Sequence, residues 1–292
     1  MTRPFPDVEG VTHRYVDTGR LTMHVAEAGA PDADPVLMLH GWPQHWYEWR
    51  HQIPTIAQHY RVIAPDLRGL GWSDAPPDGY EKENMATDVL ALLDRLELEQ
   101  VRLVGHDWGG WIGFLMCLRA PERVRRYVAC NIPTPFANRD PRNFAGMWRF
   151  WYQGVLASPG LGPRMAPVFA ERLMRNTKRR GAFSEQEIKE FTDPLREPDR
   201  ARATVQIYRT FVTREFAAVA AGRYNSKRLT VPTRLLFGED DMAIPKRMVS
   251  GDFSRYADHL EVEFVSNCGH FVEEEQPELV TRRTLDFFSA AA

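Results

Sequence analysis

The sequence predicts an α/β protein with a mostly parallel eight-stranded sheet, helices on both faces of the sheet and an inserted helical cap. Three observations support this prediction. Short apolar runs rich in Val, Ile and Leu recur along the chain, which is typical of strands that are covered on both faces. Amphipathic helical segments separate these runs, and such alternation favours a parallel sheet. The strand pattern then stops for about 90 residues, which indicates a helical insertion.

The eight predicted strands follow one another along the chain as YVDTG, LTMHVAEAG, PVLMLHG, YRVIAPDL, VRLVGHD, VRRYVACN, TRLLFGED and VEFVSNCG. The first two, at about 13–28, are too close together for a crossover helix, so we expect an antiparallel hairpin. Residues 84–100 place apolar side chains on one helical face and charged ones on the other. They therefore predict a helix that packs against the sheet.

The long segment between the sixth and seventh predicted strands is rich in Arg and aromatic residues and is typical of helices. Within it, SEQE at 184–187 is a capping box, which opens a helix. We predict a core formed by residues 1–134 and 224–292 and a cap domain formed by residues 135–223.

Composition excludes several classes of protein. The 292 residues are 43% hydrophobic, and 37 basic side chains balance 39 acidic ones, which offers no electrostatic footprint for nucleic acid or anionic lipid. No signal peptide and no membrane span is recognisable, so we expect a cytoplasmic protein. Cys117, Cys130 and Cys268 lack metal-ligand spacing, and we expect all three to be buried apolar residues. The sequence leaves the oligomeric state open, a homodimer included.

The run VGHDWGG at 104–110 carries the clearest chemical signal. Gly105, Asp107 and Gly109 occupy the frame G-x-nucleophile-x-G, a sharp turn between a strand and a helix that exposes the central side chain. The apolar run VRLV precedes the turn and a helical segment follows it, as this frame demands. A helix N-terminus favours a charged carboxylate, so Asp107 is the predicted nucleophile and should remain ionised.

On these residues the chain resembles the α/β-hydrolases of the epoxide hydrolase and haloalkane dehalogenase group, over nearly its whole length. HGWP at 40–43 is similar to the oxyanion loop of that group. The resemblance implies that the backbone N–H groups of Trp42 and Trp108 form the oxyanion hole. It also implies a cis peptide bond before Pro43.

The other two members of a triad should follow in the order acid and then base. FGEDDMAIP follows the seventh predicted strand, and the family spacing from Gly238 selects Asp241 as the acid, with Asp240 as the alternative. NCGHFVEEEQPE follows the last predicted strand and supplies His270 as the base. No cofactor and no metal is expected, because a side chain or a backbone donor fills every role.

An aspartate nucleophile changes the chemistry that is expected. An attacking carboxylate becomes alkylated, so the substrate must offer an electrophilic sp³ carbon, such as that of an epoxide or a carbon–halogen bond. His270, oriented by Asp241, would then activate water to hydrolyse the ester on Asp107.

Opening of an epoxide also needs a proton donor, and a tyrosine phenol remains protonated at neutral pH. WYQGVLASPG at 151–160 and VQIYRTF at 205–211 resemble two segments of the epoxide hydrolase lid. The resemblance assigns the acid roles to Tyr152 and Tyr208.

We expect an apolar pocket that suits a small apolar epoxide, with water as the second reactant. The predicted pocket residues are Trp42, Pro43, Trp108, Trp151 and Gln153. Trp111 and Phe136 are further candidates, and for these two we expect a packing role.

Two alternatives remain open. A dehalogenase would use the same nucleophile and hold the halide through the indole of Trp108 and a second donor. Many haloalkane dehalogenases place Asn where this chain has Trp42, and fluoroacetate dehalogenases carry Arg residues where it has Trp108 and Trp111. A binding protein without turnover would usually have lost a catalytic residue, and none is missing here.

Overall fold

The structure is a computed structural model, and it describes residues 3–137 and 147–290. It contains one eight-stranded sheet in the order β1-β2-β4-β3-β5-β6-β7-β8. The strands are β1 Thr12–Asp17, β2 Thr22–Ala28, β3 Pro35–Leu39, β4 Arg61–Pro65, β5 Val101–His106, β6 Val124–Cys130, β7 Thr233–Gly238 and β8 Leu260–Val265. All eight predicted strands are therefore present.

The sheet is mostly parallel, as predicted. β1 and β2 form the expected antiparallel hairpin, and β2 also pairs antiparallel with β4. The five remaining pairings are all parallel. The carboxyl ends of β5, β6 and β7 therefore lie side by side at one edge of the sheet, which is where loops of an open α/β sheet form ligand sites.

Ten α-helices flank or follow the strands in the described residues. They are α1 Ile53–Ile56, α2 Lys82–Arg95, α3 Asp107–Arg119, α4 Trp151–Leu156, α5 Gly162–Arg175, α6 Glu185–Thr192, α7 Pro198–Thr210, α8 Phe216–Ala220, α9 Val272–Glu275 and α10 Pro277–Ser289. A π-helical segment, Phe211–Glu215, joins α7 to α8. No helix among the described residues is both long and apolar enough to cross a membrane.

Apolar side chains pack on both faces of the sheet. Leu103 belongs to one buried cluster and its neighbour Val104 to another, because successive side chains of a strand point to opposite faces. The same alternation separates Leu235 from Leu236. This two-sided burial explains why the sequence of each strand is a continuous run of apolar residues. The three cysteines are buried, as expected.

The described residues between β6 and β7 form helices α4 to α8. The predicted capping box is present: Ser184 Oγ accepts from the N–H of Glu187 at 3.2 Å, and the N–H of Ser184 donates to Glu187 Oε2 at 2.7 Å. Part of the predicted cap, residues 138–146, lies outside the described residues. The bounds 135–223 stay a prediction.

Candidate active site

Asp107 lies at the turn between β5 and α3, at the first residue of the helix. Its φ is +48°, a left-handed conformation that side chains other than glycine rarely adopt. The turn is tight: a Cβ on Gly109 would lie 2.2 Å from the carbonyl oxygen of Leu39, and a Cβ on Gly41 would lie 2.4 Å from Asp107 Cβ. The two glycines therefore let the neighbouring loop close onto the candidate nucleophile.

Two backbone N–H groups face the Asp107 carboxylate. The N–H of Trp42 donates to Oδ1 at 3.1 Å, and the backbone N–H of Trp108 also favours the charged carboxylate and helps to lower its pKa. The peptide bond between Trp42 and Pro43 is cis, as the resemblance implied. These two donors can stabilise negative charge on a carboxyl oxygen of Asp107.

His270 faces the other carboxyl oxygen of Asp107. Its Nε2 lies 3.6 Å from Asp107 Oδ2, and its Nδ1 lies 2.9 Å from Asp241 Oδ2. The second oxygen of Asp241 accepts from the N–H groups of Ala243 and Ile244, at 2.7 and 2.9 Å. Asp241 is thus held in one orientation and can hold the imidazole in turn.

Asp240, the alternative acid, points elsewhere. Its side chain is 42% exposed and pairs with Lys178 at 3.4 Å, whereas the Asp241 side chain has no exposed area. The structure therefore brings Asp241, and not Asp240, to His270.

Asn131 is a site residue that the sequence analysis missed. It directly follows β6, is buried and has a φ of +40°. Its Nδ2 donates to Asp241 Oδ2 at 2.8 Å and to the carbonyl oxygen of Gly269 at 3.0 Å. The sequence offered one signal for Asn131: it is a polar residue at the carboxyl end of the strand next to β5, where site residues are expected.

Electrostatic interactions link the protonation states of Asp107, His270 and Asp241. Burial favours the neutral forms, yet the neighbouring His270 holds the pKa of Asp107 below its ordinary value. Burial likewise opposes the charged imidazole, but Asp241 and then Asp107 raise the pKa of His270 well above its ordinary value. The free site therefore contains an ionised Asp107 beside a protonated His270 at neutral pH.

The two cap tyrosines lie near Asp107 on different helices. Tyr208, on α7, is 3% exposed and packs edge-on against Trp42 and Trp108, with ring centroids 5.3 and 5.8 Å away. Tyr152, on α4, lies 6.3 Å from Tyr208, centroid to centroid. Burial raises the pKa of both phenols, and the charge of Asp107 adds to this. Both remain proton donors at neutral pH.

A cavity of about 170 Å³ opens above Asp107. Aromatic and aliphatic side chains form most of its wall. Its lining includes Asp107, Trp108, Trp111, Phe136, Phe150, Tyr152, Gln153, Phe211, Phe216, Ile244 and Met248. Tyr208 is not part of this lining, so one of the two phenols, Tyr152, reaches the cavity surface.

Several pocket predictions were wrong. Trp42 and Pro43 are buried but do not line the cavity, and the Trp42 indole N–H donates to Thr204 on α7 at 3.2 Å instead. Trp151 is 58% exposed and packs edge-on against Phe169, because its position on α4 faces away from the cavity.

Two further aromatic residues line the cavity although we expected them only to pack. They are Trp111 and Phe136. Trp111 lies one helical turn after Asp107 on α3. Residues at i and i+4 share a helix face, so both side chains reach the cavity.

One group of side chains in the described part of the chain could hold a metal ion. Glu48, His106 and Glu273 are buried, and one ligand atom of each lies within 4.8 Å of the others. The group adjoins the site through His106, which precedes Asp107. It does not face the cavity.

The fold and the site define an α/β-hydrolase with an aspartate at the nucleophile position. Residues 34–277 match the model of the alpha/beta hydrolase fold family, and the chain belongs to that family. A soluble epoxide hydrolase of Corynebacterium sp. strain C12 is 32% identical over 288 residues, which cover 96% of this chain and 98% of the relative.

Solved structures show the same similarity. An epoxide hydrolase named CorEH matches with a TM-score of 0.83 and 30% identity, over 96% of this chain and 99% of the other. Epoxide hydrolase VrEH1 from Vigna radiata matches with a TM-score of 0.82 and 28% identity, over 97% of this chain and 99% of the other.

Proposed function

We propose that this protein is an epoxide hydrolase that converts an apolar epoxide to a vicinal diol through an ester on Asp107. The observation that carries this proposal is the Asp107 carboxylate itself. Trp42 N–H bonds one of its oxygens, and His270 lies 3.6 Å from the other. A carboxylate so held attacks an sp³ carbon and not an acyl group.

In the first half-reaction, a carboxyl oxygen of Asp107 bonds to an epoxide carbon while the carbon–oxygen bond of the ring breaks. The departing oxygen takes a proton from a tyrosine phenol. Tyr152, at the cavity surface, is the first proton donor, and Tyr208 is the second acid. Solvent restores the phenol proton. The depressed pKa of Asp107 keeps the attacking group ionised for this step.

In the second half-reaction, neutral His270 removes a proton from water, which attacks the ester carbonyl carbon of Asp107. The Trp42 and Trp108 N–H groups bind the oxyanion that forms. Collapse of the intermediate releases the diol, whose oxygen takes the proton from His270. The carboxylic acid left on Asp107 passes its proton to His270, which restores the ionised Asp107 and the protonated imidazole of the free site. Esterification removes the negative charge of Asp107, so one of the groups that raise the pKa of His270 is lost, and the imidazole releases its proton to solvent before it acts as the base.

The cavity and the relatives support the same substrate class. Its aromatic and aliphatic wall favours an apolar group beside the epoxide ring. The similar proteins from Corynebacterium and Vigna radiata are named as epoxide hydrolases.

One observation favours a second candidate, a dehalogenase. Trp108 is buried and lines the cavity, and the N–H of such an indole can hold a halide ion. A halide, however, leaves without a proton, and the phenols of Tyr152 and Tyr208 would then have no role.

The test begins with His270→Gln, which removes the base but leaves the nucleophile. After incubation with styrene oxide, intact-mass spectrometry should show one adduct, and digestion should place it on Asp107. Asp107→Asn is the matched control and should remain unmodified. A His270→Gln protein without adduct, on a substrate that the wild type converts, would contradict the proposal.

The wild type should form diol from styrene oxide and release no halide from a bromoalkane of similar size. Halide without diol would favour the dehalogenase. A protein that binds these compounds and converts neither would be a binding protein.

A further inference from the structure

A buried polar cluster lies next to the candidate site, outside the cavity. Its members are Glu48, His106 and Glu273, whose side chains have no exposed area. His106 Nδ1 lies 3.4 Å from Glu48 Oε2 and 3.5 Å from Glu273 Oε1. Each residue comes from a different part of the core: the segment after β3, the end of β5 and helix α9.

The cluster bonds to the backbone of the candidate site at two points. Glu48 Oε2 accepts from the N–H of Gly41 at 3.1 Å, and Gly41 directly precedes Trp42. His106 Nε2 donates to the carbonyl oxygen of His270 at 3.0 Å. The cluster therefore contacts the loop of an oxyanion donor and the candidate base, and His106 directly precedes Asp107.

The hydrogen atoms of His106 follow from these partners. A carbonyl oxygen only accepts, so Nε2 must carry a hydrogen, and Nδ1 then faces two carboxyl groups. A proton must lie between Nδ1 and at least one of them. Burial raises the pKa of Glu48 and of Glu273 well above the ordinary value, which favours such a proton.

No Lys or Arg of the described ranges lies within ion-pair distance of Glu48 or Glu273. Glu48 Oε1 and both oxygens of Glu273 also lack a hydrogen-bond partner within those ranges. A buried carboxyl group in this state costs stability, since its desolvation is not compensated. Such a cost at a place that touches the catalytic loop indicates a role in positioning.

We propose that Glu48 and His106 are positioning residues for hydrolysis of the ester on Asp107. Glu48 fixes the Gly41 peptide and thereby aims the N–H of Trp42 at the oxyanion, while His106 fixes the backbone of His270. Glu273, whose Oε1 lies 3.5 Å from the same Nδ1, is the second carboxyl group beside the imidazole of His106. This inference rests on the proposed function.

The two half-reactions should respond differently to loss of this support. Negative charge develops on the ester carbonyl oxygen only during hydrolysis, so an oxyanion donor contributes most in that step. In the alkylation step the carboxylate of Asp107 loses charge, and a misdirected Trp42 N–H does not slow it.

The experiment is single-turnover kinetics with styrene oxide on three proteins: wild type, Glu48→Ala and Glu48→Gln. Rapid quenching and intact-mass spectrometry measure formation and decay of the alkyl-enzyme separately. Glu48→Ala should slow ester hydrolysis by about 10- to 100-fold, less than the roughly 10²- to 10³-fold cost of losing an oxyanion donor, because the Trp42 N–H is misdirected and not removed. Alkylation should change less than threefold, and the adduct should accumulate. Glu48→Gln keeps an oxygen acceptor for Gly41 and should restore most of the hydrolysis rate.

Three outcomes would overturn the inference. Equal slowing of both half-reactions would indicate a general structural role. A Gln variant as slow as the Ala variant would show that an oxygen acceptor for the Gly41 N–H does not support ester hydrolysis. A stoichiometric metal ion, detected by elemental mass spectrometry of the purified wild type, would make the three side chains ligands instead.

If Glu48→Ala does not fold, His106→Phe replaces it, because this variant loses the bond to the His270 carbonyl and should show the same selective slowing of hydrolysis. Failure of the proposed function is distinguishable. In that case the wild type itself forms no adduct on Asp107, whereas failure of this inference leaves a wild-type adduct whose decay the variants do not change.

Discussion

The ammonium group of Lys82 lies 4.6 Å from the ring centroid of Trp108, and both side chains are buried. The same group donates to the carbonyl oxygen of Ile207 at 2.8 Å and lies 3.6 Å from Glu215 Oε2. Burial lowers the pKa of Lys82 to about 8, so the group is mostly protonated at pH 7. Lys82 thus ties the residue that follows the candidate nucleophile to the helix that carries Tyr208.

Lys82→Met should destabilise the protein by about 3 kcal/mol, because removal of one partner leaves the buried Glu215 without its cation. Urea denaturation measures this as a lower midpoint at unchanged slope. The double variant Lys82→Met/Glu215→Gln removes both charges and should recover part of the loss. A single variant as stable as the wild type would show that the pair does not hold the cap.

Tyr152→Phe and Tyr208→Phe should each slow ring opening, and the double variant should slow it by about 10³-fold, within the range for a positioned general acid. Tyr152 lines the cavity and Tyr208 does not, so we expect the larger single effect at Tyr152. Rapid-quench measurement of alkylation checks this. Full activity in the double variant would refute the acid assignment.

Asp241→Asn should shift the pH dependence of ester hydrolysis. Asp241 raises the pKa of His270, so removal of its charge lowers that pKa, and the acid limb of the rate profile moves to lower pH. The maximal rate should also fall, on the order of 10⁴-fold, because the imidazole loses its orienting partner. Asp240→Asn is the matched control, since Asp240 pairs with Lys178 at the surface, and its profile should equal that of the wild type.

Gly109→Ala should destabilise the fold by about 3 kcal/mol, the upper part of the usual cost of overpacking. The new Cβ would lie 2.2 Å from the carbonyl oxygen of Leu39, a backbone atom that cannot rotate away. Gly154→Ala is the control, because a Cβ there meets nothing within 4 Å on helix α4. The control should gain about 0.5–1 kcal/mol. Thermal unfolding compares the two.

The strands and their mostly parallel pairing could be predicted because burial on both faces leaves a continuous apolar run for each strand. The positions of Asp107, Asp241 and His270 could also be found. Asp107 lies in a known turn pattern, and the other two follow later strands in the chain order acid and then base. Their roles remain proposals that the experiments above test.

The cavity wall could not be predicted in the same way. Trp151 precedes Tyr152 on α4, and adjacent positions on a helix point about 100° apart, so a side chain beside a motif residue need not face the same cavity. Lys82 and Asn131 were missed for a different reason. Their partners, Ile207 and Asp241, are more than 100 residues away in the chain, and only the folded structure brings them together.

The burial of every cysteine has a consequence for a protein that meets strained, electrophilic rings. Thiolates are the side chains that such rings would modify most readily, and burial raises the pKa of Cys117, Cys130 and Cys268 so that they remain thiols. Under the proposed mechanism, this burial protects the protein from inactivation by an epoxide substrate, and the covalent bond forms instead at Asp107, whose ester can be hydrolysed to release the product.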